Sequence, residues 1–130
     1  MRQMNLMEKY PVNMLEIAKN ETIFKSVDEI LAYLKLKIDA HLVATYIATF
    51  DHYTHTKGLE EGSVSSDVLD AKNIICCFGK DLSDPLMLAV RPRSIGLVEM
   101  SDKFVVSFID APNPQAHKAM VSWIESIVNK

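Results

Sequence analysis

The sequence predicts an α+β fold: a mainly antiparallel sheet of about five strands, with two amphipathic helices packed on one face, in the order β-α-β-β-β-β-α. Three observations predict it. Apolar residues recur at helical spacing from Val27 to Leu42 and again from Ala116 to Ile127. Between these stripes the apolar runs are short and separated by turn residues at hairpin spacing. Each stripe occupies one side of its helix, which suits two helices lying on a single sheet face.

Residues 1–11 show no hydrophobic period and are expected as a loose arm ahead of a single domain over 12–130. Val12 to Ala18 alternates, with Met14 opposite Leu15 and Ile17, and reads as a short strand ended by Lys19, Asn20 and Glu21. Ser26 and Glu29 have the spacing of a capping box: the Ser hydroxyl takes the Glu29 amide and the carboxylate reaches back to the Ser26 amide. Val27, Ile30, Leu31, Leu34, Ile38 and Leu42 then form one stripe, and the helix is expected to run to about His41 or Val43. Asp28 and Glu29 sit where the helix dipole favours carboxylates.

From Thr45 the β-branched and aromatic residues favour a strand over Ala44 to His55, ended by Gly58 and Gly62. Asn73 to Phe78 is a short continuous apolar run, the pattern of a strand covered on both faces. Asp81 to Pro85 reads as a turn. Leu86 to Val90 is apolar until Arg91-Pro92-Arg93 interrupts it, which places that segment at an edge or a bend, because proline cannot donate to a ladder. Ile95 to Met100 and Phe104 to Ile109 form a hairpin through Ser101-Asp102-Lys103. Asn113 caps the last helix and Pro114 fits its first position, where no amide is needed. Ala116, Met120, Trp123, Ile124 and Ile127 make its stripe, with Lys130 near the negative end of its dipole.

This element order resembles the strand-helix-four-strand-helix half of the TATA-box-binding-protein-like group of folds. The resemblance lies in element order alone and carries no function. The chain as a whole is similar to small bacterial domains to which no activity has been assigned.

Composition narrows the function classes. A net charge of −3 is a poor match to a nucleic-acid binder, which must neutralise phosphates with Lys and Arg, and it disfavours adhesion to anionic membranes. The start has no apolar run of signal-peptide length and no later segment is long enough to span a membrane, so a cytoplasmic protein is expected. Cys76 and Cys77 are adjacent, point to opposite faces of a strand and are read as reduced thiols. With four glycines and no Gly-rich loop, a dinucleotide fingerprint is excluded, and no cofactor is assigned.

The polar chemistry concentrates in Thr45 to Lys57, TYIATFDHYTHTK. His52 and His55 form an H-x-x-H pair beside Asp51. On a helix the two imidazoles share a side and can share a metal; on the expected strand they fall on opposite faces, which leaves Asp51, Tyr53 and His55 together. A zinc site then needs further ligands, with Cys76 or Cys77 the nearest source. The plainer reading is two hydrogen-bonded histidines at a strand end. An acid–base reading pairs Asp51 with His55, and a thiol from Cys76 or Cys77 completes a Cys–His arrangement, although a thiol in an apolar run is inert.

Arg91 and Arg93, two apart across a stiff proline and next to the Ser94 hydroxyl, are a candidate clamp for a carboxylate or phosphate, because each guanidinium grips two oxygens in a fork. The competing reading pairs them with some of the 17 acidic residues. The site expected to bind a small anionic ligand is therefore Arg91, Arg93 and Ser94, with His52, His55, Asp51 and Tyr53 lining the same cavity. The expected function is a non-catalytic binding or assembly module. The alternative is a metal-dependent or acid–base enzyme using Asp51, His52 and His55. A sheet face left bare by the helices points to a homodimer.

Overall fold

The structure, a computed structural model, describes residues 1–129; Lys130, expected near the end of the last helix, lies outside them. Six strands form one antiparallel sheet: β1 (Arg2–Leu6), β2 (Tyr10–Ala18), β3 (Thr45–Phe50), β4 (Asp70–Cys77), β5 (Arg93–Glu99) and β6 (Lys103–Ile109), in the spatial order β1-β2-β6-β5-β4-β3. Helices α1 (Val27–Ala40) and α3 (Pro114–Glu125) bury their apolar stripes on one face, and a short helix α2 (His52–Lys57) follows β3. From β2 onward the main elements run in the expected α+β order, with α2 added.

Alternation along the strands sets the core. Ile17, Phe104, Val106, Ile95, Leu97 and Ile74 point to the helices and are almost fully buried. Val27, Ile30, Leu34 and Ile38 of α1, with Met120 and Ile124 of α3, meet them from above. Burial of each such side chain contributes about 1.5–3 kcal/mol. Ser26 Oγ accepts the Glu29 amide at 3.1 Å, while the Glu29 carboxylate takes the Lys25 amide at 3.2 Å instead of that of Ser26. Asn113 Oδ1 accepts the amides of Gln115 and Ala116, so the last helix starts where the sequence placed it.

Several expectations are corrected. The supposed loose arm is strand β1, paired with β2 from Arg2↔Met14 to Leu6↔Tyr10. Its hairpin turn places Met7 and Glu8 at φ 55° and 62°, a conformation that glycine or asparagine normally announces. Leu42 is fully exposed because α1 stops at Ala40 and His41 turns the chain. His41 does so by accepting the amides of Val43 and Ala44 on Nδ1, both at 3.1 Å.

The strand expected through His55 ends at Phe50. Asp51 captures the Thr54 amide at 3.0 Å and its hydroxyl at 2.9 Å, and so opens α2. Leu86 to Val90 belongs to a 3₁₀ turn, Pro85–Val90, capped by Asp84, and the Arg91–Pro92 peptide is cis.

Within one chain β4 is covered on one face only. Ile74 and Cys76 are buried under the helices, whereas Ile75 and Cys77 point the other way. That second face carries Met4, Val12, Ile109, Val105, Val98, Ile75 and Phe50; α1 and α3 pack on the opposite face, and α2 meets this one at Phe50. Among the described residues, no helix is long and apolar enough to cross a membrane.

Candidate functional site

Along β5 the residues facing the helices are Ile95 and Leu97; Arg93, two positions before Ile95, faces the same way. Its guanidinium therefore enters the interior beside the start of α3, and the residue is only 8% exposed. Nη2 donates to the main-chain oxygen of Ile109 and to that of Asp110, the latter at 3.1 Å. Nη1 reaches the Val90 carbonyl at 3.5 Å, and Nε is buried with no partner. Among the described residues no carboxylate oxygen lies within ion-pairing distance of Arg93. Burial lowers its pKa from the usual arginine value, with Cys76 and Asp110 pulling the other way.

Arg91 ends the 3₁₀ turn and lies at the surface. It donates to the Asp81 carbonyl at 2.6 Å and stands 3.9 Å from the Asp81 carboxylate. Both arginines line one cavity of about 420 Å³, between the 3₁₀ turn and the start of α3. Phe78, Leu86, Met87 and Val90 form its apolar wall, and Asp81 and Asp84 stand at its exposed edge. The amides of Gln115 and Ala116 point toward this end but are taken by Asn113, so α3 adds the field of its dipole and no free donor.

The other expected residues fall elsewhere. Ser94 faces the bare side of the sheet, where its Oγ accepts the Asn73 side-chain amide at 3.0 Å; it does not share the cavity with the arginines. His52, His55, Asp51 and Tyr53 belong to α2, at the other end of β4: Arg93 pairs with Cys76, whereas Phe50, just before α2, pairs with Asn73. Neither histidine lines the arginine cavity.

Because α2 is helical, the two imidazoles come to one side, with ring centres 6.3 Å apart and both rings against Phe50. His52 Nδ1 is 3.0 Å from Thr56 Oγ1. Asp51 is occupied by Thr54, whose amide and then hydroxyl lower its pKa, with Lys72 at 4.0 Å adding to the effect. Lys72 itself has a raised pKa, chiefly from its 2.6 Å contact with Asp28. Tyr53 lies under Lys57, whose Nζ is 5.5 Å from the ring centre. No cluster of three or more His, Cys, Asp or Glu suited to a metal ion is present among the described residues.

Cys76 is fully buried, and burial, with Cys77 adding to it, pushes its pKa up to about 11. Cys77 faces the other side and its Sγ accepts the Gly79 amide at 3.3 Å. Both are free thiols. Cys76 is thus a core residue, too protonated to act as a nucleophile near neutral pH.

Residues 1–129 match the family model described as a family of unknown function, DUF6858. The chain belongs to this family. No curated protein and no solved structure matches it. Within this DUF6858 chain, then, the geometry itself has to nominate a site, and the cavity around Arg93 gathers the most distinctive groups. Sequence reasoning missed Asp81, Phe78 and Asn113 as its neighbours. The start of α3 was legible, but its approach to β5 depends on the sheet order.

Proposed function

We propose that this chain is a cytoplasmic, non-catalytic binding module that holds a small anionic ligand between Arg91 and Arg93 and works as a homodimer. One observation carries the reading: Arg93 is a buried cation with carbonyl partners and, among the described residues, no carboxylate within ion-pairing distance. An uncompensated charge in a low-dielectric site is costly, and a bound anion offsets that cost. The carboxylates in its wall are engaged, Asp84 as the cap of the 3₁₀ turn and Asp81 beside Arg91, which favours binding over acid–base chemistry.

The test is a thermal-melting screen with inorganic phosphate and small carboxylates. A binder at a hundredfold excess over its Kd raises Tm by on the order of 8 °C, and Arg91→Ala reduces the rise. A screen in which no anion moves Tm removes the proposal.

The partner in this reading is a second copy laid on the bare sheet face. Six strands about 4.8 Å apart, each contributing about six residues at ~3.3 Å, present roughly 600 Å² in projection. A corrugated face of that size is close to the ~800 Å² per partner of a standard stable interface. The apolar residues on both faces of β4 support it, since Ile75 is only half-buried within the chain. Two adjacent, unlinked thiols suit a reducing compartment.

The convergence of His52 and His55 on α2 favours a second reading, a metal-dependent enzyme, more than an extended chain does. Two imidazoles fall short of the three protein ligands of a catalytic zinc site, and Asp51 is engaged as a cap. The arginine cavity therefore ranks first. Elemental analysis of the purified protein discriminates: a stoichiometric transition metal lost in His55→Ala reverses the order.

A further inference from the structure

We infer that the ligand is a monocarboxylate with a short apolar body, its head group on Arg93 and Arg91 and its body along Phe78, Leu86, Met87 and Val90. This rests on the anion-binding reading above and specifies its chemistry.

The charges select the head group. Arg93 faces the cavity from the buried end. Asp81 and Asp84 face it from the exposed edge, and Asp81 already lies beside Arg91. The Asp110 carboxylate turns away, accepting from the side-chain amides of Asn13 at 2.6 Å and Gln3 at 2.8 Å. A single negative charge placed deep in the cavity meets guanidinium groups. A second charge on the same molecule has to lie nearer two carboxylates. Dicarboxylates and doubly ionised phosphate esters are disfavoured on that ground.

The donors agree. Phosphate groups are usually held by several amides at a helix start, and here the Gln115 and Ala116 amides are occupied by Asn113 while Pro114 has none. What remains is guanidinium: Arg93 keeps Nε and one Nη1 hydrogen beyond its main-chain bonds, and Arg91 keeps the donors not given to the Asp81 carbonyl, so the two carboxylate oxygens are shared between the two arginines.

The wall selects the body. Leu86 is 76% exposed although it borders a cavity, on a turn whose neighbour Leu88 is also exposed. An apolar chain lying against the turn removes that surface from water. At ~30 Å³ per water-sized group, a volume of about 420 Å³ holds about a dozen non-hydrogen atoms. Carboxylates of six to ten carbons fit.

The experiment is calorimetric titration of the intact chain with acetate, butyrate, hexanoate and octanoate, with inorganic phosphate and 1-hexanol as comparators. Affinity is expected to rise about fourfold per added methylene until the wall is full, with hexanoate above both comparators. If phosphate binds and the carboxylates show no dependence on length, this inference falls and the anion reading stands. If 1-hexanol binds as tightly as hexanoate, the head group is not read and the anion reading falls with it. If nothing binds, both fall. Leu86→Ser, at an exposed position, should weaken hexanoate about tenfold; unchanged hexanoate affinity in that variant overturns the placement of the body.

Discussion

Arg93 Nη2 lies 3.1 Å from the main-chain oxygen of Asp110, so a buried cation ties the start of β5 to the turn that leads from β6 into α3. The same side chain also donates to Ile109. It therefore has a structural duty beside the proposed binding one, and the two separate by experiment. Arg93→Met removes the donors to the carbonyls of Ile109, Asp110 and Val90, at a cost of about 1–3 kcal/mol in urea unfolding. A variant as stable as the wild type would show that water enters and replaces them.

Cys76 should resist alkylation in the folded chain. Its pKa of about 11 leaves almost no thiolate at pH 8, so iodoacetamide followed by mass spectrometry should add one group at most, on Cys77, and a second only after unfolding. The linkage has a definite sign. A thiol raised in the folded state from 9.0 to about 11 stabilises fully below pH 9, and that contribution is lost as pH rises through about 11. Cys76→Val should not show this loss.

The bare sheet face predicts the oligomeric state. Val98 lies on it, across from Val105 and Ala71. Val98→Glu places a charge there without touching the helix-covered core, and light scattering should find wild-type dimers become monomers. A wild type that is monomeric at tens of micromolar contradicts the interface.

Asp51 gives a second pH test. Its folded pKa lies below the ordinary 3.8, from the Thr54 amide and hydroxyl first and Lys72 last. A carboxylate lowered in this way stabilises the folded state above its ordinary value, and the contribution disappears as pH falls through the folded pKa. The Thr54 amide resonance should move with a midpoint below the ordinary 3.8. A midpoint at or above 3.8 would contradict it.

Much of the fold was legible in the sequence because two local signals agreed with the tertiary answer. Ser26 and Asn113 cap the helices whose stripes, from Val27 and from Ala116, form the core. What escaped notice lacked such a signal. Met7 and Glu8 turn a hairpin without glycine or asparagine, so β1 resembled an arm. In Asp51 to Lys57 the β-propensity of Thr and Tyr pointed to strand, and the Asp51 cap on Thr54 overrode it. The arginine pair could be picked out from its spacing, but its cavity could not: Phe78, Asp81 and Asn113 meet it only after β4, β5 and β6 take their places. The histidines and arginines were grouped for their chemistry, and the antiparallel register set them at opposite ends of β4.

The most direct test of the central claim is a nuclear magnetic resonance titration of the isotope-labelled chain with hexanoate. Binding between the arginines should shift amides in Met87 to Arg91 and Ala111 to Ala116, and leave His52 to Lys57 in place. Saturating shifts confined to His52–Lys57, or none at either segment, would contradict the account.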